Sequence, residues 1–138
     1  MILLLQETIE NLLRQRLILK IINMATYNSD MVAGNQSFKP FPSGALGVRY
    51  AKFTASTAIA LNDVIQMVDV FAGETVHDVK IKTGDLDTGT ALVLDVGYGG
   101  ATDSIIDGST IGRAGGSDSI DADTAPIAFA SDDTIDVK

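Results

Sequence analysis

No cysteine occurs among the 138 residues, tryptophan is absent, and His77 is the only histidine. Without cysteine the chain has no disulfide, thiolate nucleophile or cysteine-ligated zinc, and one histidine cannot supply a multi-histidine metal cluster. Basic residues are few, 10 against 18 acidic ones, giving a formal charge of −8. Such a surface repels phosphate backbones rather than releasing their counterions, so no nucleic-acid partner is expected. Aromatics reach only 6%, so the core must come from Ile, Val, Leu and Ala. What is present suffices for folding: hydrophobic residues make up 46% and mean hydropathy is +0.22. A mass of 14.5 kDa is one domain's worth of chain. Thirteen glycines supply many tight turns, and the combination favours β structure.

Uninterrupted apolar runs of membrane-spanning length are also missing. Residues 1–23 are rich in Leu and Ile, but Glu7, Glu10, Arg14, Arg16 and Lys20 interrupt them. Five charges inside a bilayer core argue against a transmembrane span, and no positive region precedes the first apolar residues as a signal peptide requires. Leu5, Ile9, Leu12 and Leu13 share one side at helical spacing, with Glu10/Arg14 and Arg16/Lys20 at i,i+4, which predicts an amphipathic helix. The alternative expectation is a mis-called N-terminal extension: Met24-Ala25-Thr26-Tyr27 reads as a native start, after which composition changes abruptly. The first 23 residues carry +1 and the remaining 115 carry −9.

Residues 24–47 read as an extended arm, punctuated by Gly34, Pro40, Pro42, Gly44 and Gly47 and lacking an apolar face of their own. Residues 48–138 read as an antiparallel β-sandwich or jelly roll. Its expected strands cover 48–55, 63–72, 76–82, 91–98, 126–130 and 134–138, each a short run at period two between turn residues. Leu92, Leu94, Val96 and Tyr98 alternate strictly and are expected to face the core. Ile135 and Val137 form the inner face of a last strand that stops without a turn, so a closing hairpin is expected to be missing from the C-terminus.

No catalytic constellation stands out. Gly97-Tyr98-Gly99-Gly100 follows a strand, but Thr102 replaces the third glycine of a dinucleotide loop and no helix pattern follows. His77 and Asp78 are neighbours on a strand, where adjacent side chains point to opposite faces. Neither Ser56 nor Ser104 sits in a nucleophile elbow. Asp85 and Asp87, with the acidic stretch of Asp118, Asp121 and Asp123, hold the hard oxygen ligands that Ca²⁺ takes. Their spacing misses the EF-hand loop, since Gly89 stands at its third ligand position, so solvated turns are the plainer reading. Asn35-Gln36-Ser37 fits a glycosylation sequon that no secretory signal accompanies. The expectation is therefore no catalytic residue, no cofactor, no metal and no membrane partner. Basic pairs are limited to Arg49 with Lys52 and Lys80 with Lys82.

Val79-Lys80-Ile81-Lys82-Thr83-Gly84-Asp85-Leu86-Asp87, Leu94-Asp95-Val96-Gly97-Tyr98, Asp103-Ser104-Ile105-Ile106-Asp107-Gly108 and Asp133-Thr134-Ile135-Asp136-Val137 together resemble small structural proteins encoded among the virion genes of tailed bacteriophages. The resemblance covers residues 24–138. It implies a β-sandwich or jelly-roll subunit on the virion, as a capsid decoration (cement) protein at the head surface. It further implies the major capsid protein as partner and a homo-oligomer, with a trimer as one form. In such relatives the last strand continues into a closing hairpin, which this sequence lacks. The alternatives are a tail, neck or fibre component of the virion, or a carbohydrate-binding β-sandwich; the scarcity of aromatic platforms argues against the latter.

Overall fold

Valine and isoleucine fill alternate positions of the runs that become strands, because a branched Cβ fits a pleated, half-buried surface. The computed structural model describes residues 24–34, 44–120, 124 and 126–138. The N-terminal segment 1–23, the sequon at Asn35, and Asp121 and Asp123 lie outside these residues. The strands in chain order are β1 (Thr26–Asn28), β2 (Val64–Val70), β3 (Thr75–Val76), β4 (Lys80–Thr83), β5 (Leu94–Tyr98), β6 (Ala101–Ser109), β7 (Gly116–Ser119), β8 (Ile127–Ala128) and β9 (Asp133–Val137). One turn of 3-10 helix, Ile111–Arg113, separates β6 from β7. The described residues thus form an all-β protein with the layers of a β-sandwich.

The main sheet has the order β1-β2-β9-β5-β6, and β3-β8 and β4-β7 form two short ribbons. Five of the six pairings are antiparallel, while β1 runs parallel to β2. Parallel neighbours need a long crossover, and residues 29–63 provide it. Val70, Leu94, Val96, Ile105, Ile106, Ile135 and Val137 from the main sheet meet Ile127 and Phe129 in one buried cluster. Val76, Val79, Ile81 and Ile111 pack against it from the ribbons and the helical turn. Tyr98 and Phe129, with ring centroids 4.9 Å apart, join the layers.

The face predicted on β5 is core: Leu94 and Val96 are buried, and Leu92 and Tyr98 pack against the cluster. The longest strand, β6, falls where the sequence shows no clean alternation. Two register shifts against β5 explain this, because extra residues bulge out of the ladder and let the consecutive Ile105 and Ile106 both turn inward. Gly99 (φ 60°) and Gly100 (φ 84°) form the two-residue turn of the β5–β6 hairpin, where both central residues need positive φ. The run predicted as one strand over 76–82 divides into β3 and β4, since its two ends pair with different partners, β8 and β7. The strand predicted over 48–55 forms no ladder.

Candidate functional site

The segment that fails to pair carries the most exposed apolar side chains. Leu46, Val48 and Tyr50 are 85%, 86% and 70% exposed, and Leu61 is 91% exposed. From residue 48 to 54 exposure still alternates as in a strand: Val48, Tyr50, Lys52 and Thr54 point out, while Arg49, Ala51 and Phe53 are partly covered. Anchors on the covered side hold this conformation. Arg49 Nη1 donates to the Asp69 carbonyl at 2.7 Å and to Glu74 Oε2 at 2.6 Å, and Nη2 donates to Glu74 Oε1. Its guanidinium carbon lies 5.2 Å from the centre of the Phe71 ring. The Arg49 contact holds the Glu74 carboxyl below the usual carboxylate range against an opposing effect of burial. Further along, the Lys52 N–H donates to Asp30 Oδ1 (2.6 Å) and the Lys52 carbonyl accepts from the Asp30 N–H (3.0 Å). Phe53 stacks obliquely on Tyr27 of β1, with centroids 6.0 Å apart.

Charge sets the segment apart as well. Residues 44–61 contain Arg49 and Lys52 and no carboxylate, whereas residues 62–138 hold fifteen acidic and four basic residues. The segment is thus a carboxylate-free, apolar strip on an acidic body. Exposed apolar side chains gathered on one segment mark a surface for partner binding or for aggregation.

The residues singled out for chemistry remain dispersed. The Asp87 carboxylate accepts from the N–H groups of Leu92 (2.9 Å), Gly89 (2.8 Å) and Ala91 (3.0 Å), and these bonds hold it below the usual carboxylate range. Asp87 therefore organises the turn leading into β5. Asp85 Oδ1 accepts from the Asp87 N–H at 3.3 Å, and Asp118 accepts from the Ser109 hydroxyl at 2.6 Å. Among the described residues no group of three His, Asp or Glu is placed to hold a metal ion. His77 is exposed and makes no hydrogen bond among the described residues, and Ser56 is exposed. The Ser104 hydroxyl donates to the Ala101 carbonyl at 2.8 Å. The glycines after Tyr98 lead into a strand, not a helix N-terminus, so they form a hairpin turn and no phosphate loop. No described helix is long and apolar enough to cross a membrane.

Sequence reasoning passed over four polar residues, Ser29, Asn62, Asp63 and Asp136. Ser29 is fully buried; its hydroxyl donates to the Met67 carbonyl at 2.6 Å and accepts from Met31 and Val32 N–H groups. Asp63 accepts from the Ala25 and Ala60 N–H groups, both at 2.8 Å, which holds its carboxyl below the usual range. Asn62 ahead of it has φ 70°, a conformation asparagine tolerates. The Asn62-Asp63 pair before an apolar run is the signal that could have marked this turn. Asp136, on the outer face of the main sheet, is pushed up by burial, which outweighs the hydrogen bond from the Thr134 hydroxyl at 2.7 Å.

No family model and no curated protein matches the chain. Among solved structures, the chain is similar to one described as the capsid of Ralstonia phage GP4. The two share 29% identity over 83% of this chain and 84% of that one, with a TM-score of 0.66. Together with the all-β fold and the exposed apolar strip, this likeness supports a phage capsid-related, virion structural protein.

Proposed function

We propose that the chain is a capsid decoration protein, a small β-sandwich that seats on the head surface of a tailed phage and reinforces the shell through non-covalent contacts with the major capsid protein. The observation that carries this reading is the likeness to a phage capsid chain over more than four-fifths of both sequences. A rigid sandwich presenting a carboxylate-free apolar strip suits attachment by shape and apolar burial, which needs no catalytic group. The acidic remainder of the surface keeps the unattached subunit soluble.

Mixing the purified protein with heads that lack it tests the reading. Saturable co-sedimentation with heads and a rise in their melting temperature are expected. Binding to tails but not heads, or to neither, would overturn it.

A further inference from the structure

We infer that residues 48–54 of one copy pair, as an added strand, with the open edge of β6 in a second copy. This contact between subunits goes beyond attachment to a shell and uses the backbone edge of the segment.

The donor segment has the side-chain alternation of a strand and no ladder. In a strand the N–H and C=O of one residue point to the same edge, and those of the next residue to the other edge. Lys52 commits both of its backbone groups to Asp30, so that edge is taken by the subunit itself. Ala51 and Phe53 direct their backbone groups to the opposite edge, where they make no hydrogen bond among the described residues. An exposed edge of this kind is a template for pairing with another chain.

Charge and length select the acceptor. Among the described residues β6 has one strand neighbour, β5, so its outer edge is open. That strand, at nine residues, is long enough to take the whole of 48–54, and it carries the exposed Asp103 and Asp107 with no basic residue. The segment carries no carboxylate, and with Arg49 paired to Glu74 the exposed cation on it is Lys52. Lys52 against Asp103 or Asp107 is a complementary meeting, and it brings together regions of opposite sign in copies whose net charge of −8 otherwise makes them repel. The other free edges fit less well. The outer edge of β1 has three residues, the strands of the ribbon β3-β8 two each, β7 has four with its Asp118 already bonded to Ser109, and β4 carries Lys80 and Lys82, of the same sign as Lys52. Segment on segment would set two carboxylate-free faces together with nothing to neutralise Lys52. Each copy then both gives and receives a strand, a heterologous contact that closes into a ring when the rotation allows.

Sedimentation velocity on the full chain over a concentration series is the test. Wild type is expected to gain mass with concentration. Lys52→Asp should weaken association on the order of tenfold, because a carboxylate then faces carboxylates. Ala51→Pro removes an N–H from the pairing edge and should abolish association at an unchanged subunit melting temperature. Should that variant melt lower, the decision falls to the charge swap: Lys52→Asp combined with Asp103→Lys and Asp107→Lys in one chain should restore association to near wild type. A wild-type chain that stays monomeric, a Lys52→Asp variant that associates like wild type, or a swap as weak as Lys52→Asp alone would each overturn the inference. Binding of the same variants to heads is scored separately: a monomeric chain that still decorates overturns this inference and leaves the proposed function standing.

Discussion

Strand β5 and the segment 48–54 carry the same period-two signature and meet opposite fates. On β5, Leu94 and Val96 are buried because β6 and β9 flank the strand and the ribbons cover its inner face. On the other segment, Val48 and Tyr50 are left in solvent and the covered side is held by Arg49, Ala51 and Phe53. Alternation therefore specifies a strand-like conformation, while partners decide whether it becomes part of a sheet. The segment 48–54 keeps the pattern without a strand partner among the described residues.

The sharpest way to break the contrast is at the β5–β6 crossing. A Cβ at Gly97 would stand 1.9 Å from the Ala101 carbonyl oxygen, backbone that cannot move aside cheaply. Gly97→Ala should prevent the hairpin from closing, seen as loss of the cooperative unfolding transition. Leu94→Ala comes next, at about 2–5 kcal/mol for a buried leucine, measured by denaturant unfolding.

Smaller effects come from two carboxylates with opposite shifts. Asp63 is held below its ordinary value, so it contributes stability above about pH 4 that is lost as pH falls through its folded-state value. Asp63→Asn should lower the melting temperature at pH 7, and the gap to wild type should close in acid. Asp136 is raised, so its contribution is fully present below the ordinary value and is lost as pH rises through the folded one. Asp136→Asn should therefore melt higher than wild type at pH 7, with the advantage vanishing below about pH 4. A pH-independent difference in either variant would show that the charge is not what matters.

The smallest effect belongs to the strip. Val48→Ser and Tyr50→Ser should each change subunit stability by less than about 0.5 kcal/mol, as exposed substitutions do. A loss near that of Leu94→Ala would show the strip to be packed on its own subunit and erase the comparison.

Much of this protein was decided locally. The all-β class, the inward face of β5 and the final strand with Ile135 and Val137 inward follow from alternation and turn residues, which act over a few positions. The exclusion of cysteine-dependent chemistry follows from composition alone. Other features depend on residues far apart in sequence, and no local pattern encodes them. The bulges that bury both Ile105 and Ile106 exist because β6 must follow β5. The division of 76–82 between two ribbons, and the parallel pairing of β1 with β2, were likewise settled by which strands meet. The exposed strip shows the same limit most clearly: its sequence asks for a strand, but a ladder needs a neighbour, and only the tertiary arrangement determines that none of the described strands pairs with it.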